Sequence, residues 1–291
     1  MEVFKCALAA LGLLFVWVQW IEPHWLRFRK STVHLKKPLA KPLHILHLSD
    51  LHTTKHHFHL DSFFNRLSAL NLDLDLVFVT GDLIDAESGI GPCLANLKKL
   101  KPRLGTYVVF GNHEYRDYPS LGVWRHILMN QDTFTLRSES ERARLKDELS
   151  RAGMKILLNQ NLCLPLTGGE ELELVGLDDP VSGHADISRA FSGVRNGAVR
   201  IALSHSPMTF PALAEHGVDL AFAGHTHGGQ IRLPGLGPLA VLHSRVSPII
   251  DSTAEYGFHG IVSRGMGAKP GVRMRFFCRP EVLLVQVEGS R

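Results

Sequence analysis

The sequence predicts an α/β domain that is built on two β-sheets and follows an apolar N-terminal segment. Through most of the chain, short apolar runs alternate with helical stretches, a pattern typical of α/β proteins. Toward the C-terminus, the runs FHGIVSR, VRMRFF and EVLLVQV read as strands with no helix between them. Consecutive strands after an alternating region indicate a second sheet.

The composition fits a folded protein with a sizeable core. Apolar residues make up 45% and charged residues 21% of the 291 residues, which excludes an extended disordered chain. The formal net charge of +4 is modest, so no nucleic-acid partner is expected. The cysteines, Cys6, Cys93, Cys163 and Cys278, are far apart and form no CxxC pair. They read as incidental thiols of a reducing compartment.

The N-terminal segment is almost wholly apolar from Phe4 to Ile21. We expect residues 1–26 to form an uncleaved membrane anchor, although the run is somewhat short for a hydrocarbon core of about 30 Å. A cleaved signal peptide and a helix lying on the bilayer surface are the alternatives. Basic residues are concentrated in 27–42, which reads as a linker, whereas only Lys5 precedes the run. This asymmetry places the folded domain on the cytoplasmic side of the membrane.

The remaining elements follow from periodicity and from turn residues. Strand-like runs end at Leu48, Thr80, Phe110, Ser204 and Ala223. Helices are predicted over Leu60–Leu70, Pro92–Leu100, Ser138–Ala152 and Pro207–His216. The charged stretch Ser138–Ala152 reads as a solvated helix face, with a cap over the active site as the alternative. Because no linker divides the chain after residue 42, we predict one domain over 43–291.

Five short polar motifs each follow a strand-like run. They are Asp50-Leu51-His52, Gly81-Asp82, Gly111-Asn112-His113-Glu114, Ser204-His205-Ser206-Pro207 and Gly224-His225-Thr226-His227. Because the loops at the carboxyl ends of strands converge on one crevice in α/β sheets, side chains distant in sequence can meet there. Carboxylate, amide and imidazole groups are the donors that a pair of divalent cations requires, with one carboxylate shared. The motifs therefore predict a two-metal centre.

Each motif taken alone has a plainer explanation. A histidine such as His52 or His205 is more often a capping or core residue, and Gly-Asp after a strand is usually a turn. The GHTHGG run is more specific, because two histidines separated by one residue can point to the same face of a short strand. Its glycines would let the backbone approach a ligand closely. The order of the motifs and their shared position after strands favour the metal centre over coincidence.

In this order, the motifs D-x-H, G-D, G-N-H-E, H and G-H-x-H resemble the signature of the calcineurin-like metallophosphoesterases, from about His44 to the C-terminus. The resemblance implies a four-layer αββα sandwich of two mixed β-sheets and an enzyme that hydrolyses phosphoester or pyrophosphate bonds. It implies that one metal is bound by Asp50, His52 and His227, the other by Asn112, His205 and His225, and that Asp82 bridges both. His113 would not be a ligand but would contact the phosphate and protonate the leaving group. Glu114 would either orient His113 or lie at the surface.

A finer resemblance is to the membrane-anchored bacterial branch of this family. It rests on IEP after the apolar N-terminus, LDDP after a strand ending at Gly176, GHTHGGQIRLP and SRGMG. The branch includes UDP-2,3-diacylglucosamine pyrophosphatases of lipid A biosynthesis. The leading hypothesis is therefore an enzyme of the bacterial inner membrane that cleaves a lipid-linked nucleotide sugar. A general phosphodiesterase or phosphatase and a non-catalytic membrane scaffold are the alternatives; the scaffold is disfavoured because no metal ligand is missing.

The ligand types also bear on the cofactors. A set of carboxylate, amide and imidazole groups without thiolate admits Mn²⁺, Fe and Zn²⁺, and of these we favour two Mn²⁺ ions. Two adjacent cations lower the pKa of a shared water, so hydroxide is available near neutral pH. A serine or cysteine nucleophile is therefore not required.

Overall fold

The computed structural model describes residues 1–55, 58–118, 134–195, 197–239, 256–267 and 274–290. The strands in the first part of the chain are β1 (Arg27–Pro38), β2 (Leu43–Leu48), β3 (Leu76–Thr80), β4 (Gly105–Val109), β5 (Arg116–Asp117), β6 (Thr135–Leu136) and β7 (Lys155–Ile156). The later strands are β8 (Gln160–Pro165), β9 (Glu171–Gly176), β10 (Val199–Leu203), β11 (Leu220–Ala223), β12 (Arg232–Leu233), β13 (Gly237–Pro238), β14 (His259–Val262) and β15 (Glu281–Ser290).

Two mixed sheets form the centre of the domain. The first has the strand order β1-β15-β2-β3-β4-β7, in which β2, β3, β4 and β7 are parallel and β15 runs antiparallel to β2. The second has the order β14-β11-β10-β9-β8, in which only the edge strand β8 is antiparallel. Parallel strands are buried on both faces and carry nearly continuous apolar runs, as in the fully buried strands β3 and β10.

The two sheets pack face to face around one apolar cluster. Ile45 and Phe78 of the first sheet and Ile201 and Phe222 of the second belong to it, and all four side chains are fully buried. The rings of Phe78 and Phe222 meet edge to face with centroids 5.2 Å apart, a favoured aromatic geometry.

Helices cover the outer faces of both sheets. The α-helices of the described residues are α1 (Glu2–Val16), α2 (Phe58–Ala69), α3 (Ile90–Leu97), α4 (Asn112–Tyr115), α5 (Glu139–Arg151), α6 (Ile187–Ala190) and α7 (Phe210–Ala214). Side chains of α2, α3 and α5 form a second apolar cluster with the first sheet, and α6 and α7 form a third with the second sheet. The order helix, sheet, sheet, helix confirms the predicted α/β fold of two mixed sheets.

Helix α5 is the charged stretch that the sequence predicted. Ser138 caps its first turn by accepting a hydrogen bond from the backbone N–H of Glu141, which satisfies a donor that a helix start leaves unpaired. Leu145 and Leu149 are buried in the cluster outside the first sheet. The helix is therefore part of the outer layer rather than a cap over the site.

The basic segment 27–42 is not the linker that its charges indicated. Most of it forms β1, which pairs in parallel with β15 from Arg27 opposite Glu281 onward. Val33 and Leu35 point into the core between the sheets, while Lys30 and Lys36 are exposed on the other face of the strand. The prediction was wrong because an edge strand needs only two inward apolar residues, which a run of charges hides.

The C-terminal strands were predicted in part. EVLLVQV lies within β15 and FHGIVSR contains β14. VRMRFF, whose first two residues lie outside the described part of the chain, makes only an isolated bridge between Phe276 and Ile231.

Helix α1 continues through Trp17–Ile21 and Glu22–His24, and its side chains up to Val16 are all exposed. By length and composition, Glu2–His24 is apolar enough to cross a membrane. The end of the helix packs against the domain, where Glu22 and Pro23 are buried.

Candidate metal centre

The five motifs lie at one edge of the two sheets. Asp50, Asp82 and Asn112 follow the parallel strands β2, β3 and β4, and His205 and His225 follow β10 and β11. Each motif begins within a few residues of its strand's carboxyl end, where parallel strands bring their loops together. All seven side chains predicted as ligands are buried, with exposures of 0–2%.

The backbone at the site is held in an unusual conformation. Asp50, His52, Asp82, His225 and His227 have φ angles between 49° and 66°, in the left-handed region that residues other than glycine avoid. Each such residue costs of order 1–3 kcal/mol, and such costs concentrate at functional sites. The turns that close the strands therefore aim these side chains into one crevice at the expense of stability.

The first group of donors comprises Asp50, His52 and His227, whose candidate ligand atoms all lie within 4.8 Å of one another. The Nε2 atoms of His52 and His227 are 3.1 Å apart. The Oδ1 of Asp50 lies 3.6 Å from the Nε2 of His227. Asp50 is fixed because both of its oxygens accept from the backbone N–H of His225 at 3.1 Å.

The second group comprises Asp82, His205 and His225, again within 4.8 Å, with Asn112 beside them. The Nε2 of His205 lies 3.2 Å from the Oδ1 of Asn112 and 3.2 Å from the Nδ1 of His225.

Asp82 stands between the two groups. Its Oδ2 lies 3.7 Å from the Nε2 of His52 and 3.4 Å from the Nε2 of His205. Burial raises the pKa of this carboxyl, but His205, His113 and His52 outweigh burial and hold the pKa well below its usual range. Asp82 is therefore an anion placed where one carboxylate can serve both groups.

The arrangement of ring nitrogens tests whether a metal fits. The Nδ1 of His52 donates to Asp85 at 2.7 Å, and the Nδ1 of His205 donates to the carbonyl oxygen of Thr80 at 2.8 Å. In the neutral rings, each Nε2 lone pair then faces the carboxylate of Asp82, which is also an acceptor. A cation between the acceptors removes this conflict, and a second hydrogen bond on the far ring nitrogen is what metal-bound histidines typically have. The residues present fit a metal pair.

The pKa values of His52 and His205 also indicate that the centre favours positive charge. Burial lowers the pKa of His52, but Asp85, Asp82 and Asp50 raise it to about 9. Burial likewise lowers the pKa of His205, but Asp82 and Asp50 raise it to about 10. The buried carboxylates thus favour positive charge at these rings, which bound divalent ions would supply in place of ring protons.

His113 lies at the edge of the first group. Its backbone N–H donates to the Oδ1 of Asp82 at 2.9 Å, and its Nδ1 lies 2.9 Å from the Oδ1 of Asp85. Its Nε2 is buried without a hydrogen-bond partner among the described residues, 3.9 Å from the Oδ2 of Asp82. The ring of Tyr118 packs against it with centroids 4.7 Å apart.

Glu114 does not lie at the surface, and its side chain bonds to backbone N–H groups other than that of His113. It is fully buried, and its carboxylate accepts from the backbone N–H groups of Gly111, Asp82 and Leu83 at 2.7–2.9 Å. Burial raises its pKa to about 7. Glu114 therefore ties the Gly-Asp loop to the Gly-Asn-His-Glu loop.

Two further residues belong to the site although the motifs do not contain them. Asp85 contacts both His52 and His113; its signal was its position three residues after Asp82. Arg275 is fully buried, and its Nη2 lies 3.3 Å from the Nδ1 of His227 while it donates to the carbonyl oxygens of Gly267 and Arg264. Only the tertiary structure brings Arg275 there.

Comparison with known proteins agrees with the motif order. The family model for calcineurin-like phosphoesterases matches residues 43–229. The uncharacterized metallophosphoesterase YkoQ of Bacillus subtilis is 29% identical over 86% of this chain and 85% of its own length. The UDP-2,3-diacylglucosamine pyrophosphatase LpxG of Chlamydia trachomatis is 27% identical over 96% and 94%. The phosphodiesterase YaeI of Escherichia coli is 29% identical over 94% and 92%.

Proposed function

Because the chain belongs to the calcineurin-like phosphoesterase family, and is thus a hydrolase of phosphoester bonds, we propose that it cleaves a phosphodiester or pyrophosphate bond of a membrane-associated substrate at two divalent cations. The observation that carries this proposal is the position of Asp82, whose Oδ2 lies within 3.7 Å of a ring nitrogen from each group. One carboxylate that reaches both groups is what a two-metal site requires.

The proposed ligands follow the two groups. Asp50, His52 and His227 hold one ion, Asn112, His205 and His225 hold the other, and Asp82 bridges them. When bound, the ions offset the negative charge of the phosphate and supply hydroxide near neutral pH. The donors are oxygen and imidazole nitrogen without a thiolate, a set that admits Mn²⁺, Fe and Zn²⁺, and of these we favour Mn²⁺. The thiol of Cys278 is engaged elsewhere, since its Sγ lies 3.3 Å from the carbonyl oxygen of His227.

His113 is the proposed general acid. Asp85 accepts from its Nδ1, which leaves the Nε2 to carry the mobile proton toward the crevice. The carboxylate also fixes the orientation of the ring, so the Nε2 can donate to the leaving oxygen as the bond breaks. Arg275 and Glu114 contribute by fixing His227 and the two catalytic loops rather than by touching substrate.

The leading substrate is UDP-2,3-diacylglucosamine, as the name of the chlamydial relative states for that protein. The exposed apolar helix beside the centre supports a substrate that resides in a membrane. The relative named as a phosphodiesterase supports the alternative of a broader phosphodiester substrate. A non-catalytic scaffold is disfavoured because none of the seven predicted ligands is missing from the motifs.

We also propose attachment to the bacterial inner membrane through residues 1–26, with the domain that follows, which includes β1, in the cytoplasm. Basic residues of β1 such as Arg27 and Lys30 lie just after the helix, and Lys5 is the cation before them. Lys and Arg near the end of a span favour the cytoplasmic side, where they also attract anionic lipid.

The test is hydrolysis by the full chain in detergent after loading with Mn²⁺, Fe²⁺ or Zn²⁺, using UDP-2,3-diacylglucosamine, bis-p-nitrophenyl phosphate and a phosphopeptide. Metal content is measured in parallel for the wild type, for Asp82→Ala and for Asp147→Asn, a control on the exposed side of α5. We expect about two ions per chain in the wild type and the control. Asp82→Ala should lose both metal and activity. Full activity in Asp82→Ala, or none in the wild type on any substrate, contradicts the proposal.

A further inference from the structure

An apolar groove of about 260 Å³ lies between the N-terminal helix and the domain. Its lining residues are Leu11, Leu14, Phe15, Val18, Ile231, Met274 and Phe276. Its volume is several times the roughly 30 Å³ that one water takes in the liquid. An apolar space of this kind gives water no polar partners, so it accepts a hydrocarbon chain better than solvent.

The groove and the metal centre lie on opposite sides of the same backbone segment. Arg275 points inward to the Nδ1 of His227, while its neighbours Met274 and Phe276 face the groove. On the adjoining segment, Ile231 lies four positions after His227 and bridges to Phe276. The same two backbone segments therefore carry the wall of the centre and the wall of the groove.

The helix is docked against the domain, so the groove has two fixed walls. Glu22 accepts from the backbone N–H of Cys278 at 2.6 Å and from the indole N–H of Trp17 at 2.9 Å. The backbone N–H of Arg275 donates to the carbonyl oxygen of Val18 at 2.9 Å. A buried carboxylate is retained where its hydrogen bonds are satisfied.

The charge next to the groove and the position of the groove beside the metal centre indicate which molecule it binds. Arg232 follows Ile231 in the chain, and its Nη1 donates to the carbonyl oxygen of Gly228, the residue after His227, at 3.1 Å. The groove is thus apolar along the helix and cationic toward the centre, which matches an anionic phosphate head joined to a hydrocarbon tail. In UDP-2,3-diacylglucosamine the acyl chains are carried on the glucosamine next to the phosphate under attack, so a phosphate held at the centre keeps these chains close to the wall that the centre and the groove share. A membrane lipid that is not the substrate has no phosphate bound at the centre to hold its chain in the groove.

We propose that this groove, between Leu14 on the helix and Ile231 and Phe276 on the domain, binds an acyl chain of the substrate and so selects acylated phosphoesters. The inference rests on the proposed function and adds to it the chemical class of substrate and the residues that recognise its tail. Each methylene that moves from water into the groove contributes favourably. The gain should therefore appear mainly in kcat/KM for acylated substrates.

The experiment compares two substrates with the same pyrophosphate bond, UDP-2,3-diacylglucosamine and UDP-N-acetylglucosamine, in the same detergent, with bis-p-nitrophenyl phosphate as a third. Leu14→Trp fills the groove, and Leu13→Trp is the matched control, since Leu13 is 73% exposed and does not line the groove. We expect Leu14→Trp to lower kcat/KM for the diacyl substrate at least tenfold and to change it less than twofold for the other two. Leu13→Trp should leave all three unchanged.

A binding readout makes the test independent of turnover. Diacyl substrate with a diazirine in the acyl chain is irradiated with the full chain in nanodiscs, and cross-links are mapped by mass spectrometry. We expect labels at Ile231 and Phe276 in the wild type and in Leu13→Trp, and their loss in Leu14→Trp. Three results would overturn the assignment of this groove to the acyl chain. They are equal kcat/KM for acylated and unacylated substrates, an equal fall in kcat/KM on all three substrates in Leu14→Trp, and the absence of label on Ile231 and Phe276. Failure of the wild type to hydrolyse even bis-p-nitrophenyl phosphate overturns the proposed function instead.

Discussion

The Oδ1 of Asp85 lies 2.9 Å from the Nδ1 of His113. The same oxygen lies 2.7 Å from the Nδ1 of His52, a proposed metal ligand. Burial raises the pKa of Asp85, but the two histidines outweigh it and hold the carboxyl ionised far below its usual range. One anion thus orients both a ligand and the proposed acid, whose rings stand edge to face with centroids 4.5 Å apart.

Replacing Asp85 by Asn should weaken metal binding and catalysis together. The amide oxygen carries no charge, so it holds both N–H groups more weakly, and His52 loses its fixed orientation. Loss of such an outer hydrogen-bond partner typically lowers metal affinity or activity about 10–100-fold. We expect a fall in Mn²⁺ affinity by calorimetry in this range, and a larger fall in kcat because His113 is also released.

The control for Asp85→Asn is Asp147→Asn, which removes an exposed carboxylate far from the centre. Its metal affinity and kcat should equal those of the wild type. Unchanged affinity in Asp85→Asn would show that the carboxylate does not hold His52.

Removing the imidazole of His113 should slow hydrolysis without releasing the metals. General acid help typically contributes about 10²–10⁴-fold, and its benefit grows with the basicity of the leaving group. We therefore expect His113→Ala to lose kcat strongly on an alkyl phosphodiester and weakly on bis-p-nitrophenyl phosphate, whose leaving group needs little protonation.

The matched readout for His113→Ala is metal content by mass spectrometry, which should stay at the wild-type value. Loss of one ion would make His113 a ligand. An equal loss of kcat on both substrates would remove the acid role and leave only a contact to the phosphate.

Gly111 is required where the two catalytic loops touch. A Cβ on Gly111 would lie 2.7 Å from the Cε1 of His205 and closer still to the Oδ1 of Asp82. Neither group can move without disturbing the centre, so Gly111→Ala should abolish metal binding and lower stability by about 1–3 kcal/mol. Gly91→Ala is the control, because a Cβ there meets no atom within 4 Å in helix α3. Calorimetric unfolding should show it unchanged or stabilised by up to about 1 kcal/mol. Equal behaviour of the two variants would contradict the close approach.

The sequence predicted those parts of the site that sit at strand ends. The strands of both sheets have strong apolar runs, and each motif begins where a run stops, so convergence followed from topology alone. Asp85 was not predicted as a site residue, because an aspartate in a loop after Gly-Asp is usually a turn residue. Arg275 lies in a run that read as a strand, and its contact with His227 depends on how distant segments pack.

Strand β1 and the docking of the N-terminal helix could not be predicted from the sequence for the same reason. The alternation that buries Val33 and Leu35 is short and is masked by the cations between and around them. Glu22 reads as a polar residue after an apolar run. Its burial follows from a backbone N–H of Cys278 that only the folded C-terminal segment supplies. Local periodicity carries no information about such long-range partners.

His47 should make the metal-free protein sensitive to acid. It is fully buried, its Nε2 lies 2.8 Å from the Oγ1 of Thr80, and its ring packs on Phe222. Burial lowers its pKa from 6.5 to about 3, so the unfolded chain binds this proton more readily than the folded one. Stability is therefore complete above about pH 6.5 and is lost as pH falls toward 3. At about 1.4 kcal/mol per pKa unit, the loss from pH 7 to pH 5 is about 2 kcal/mol.

The substitution that isolates this effect is His47→Gln, which keeps a donor for Thr80 but cannot titrate. Urea unfolding in EDTA at pH 7 and pH 5 should show that the wild type loses about 2 kcal/mol more than His47→Gln. The control is His24→Gln, which replaces an exposed histidine and should keep the wild-type pH dependence. If His47→Gln loses as much stability as the wild type, the acid sensitivity arises from the other histidines, and His47 is protonated as easily in the folded chain as in the unfolded one.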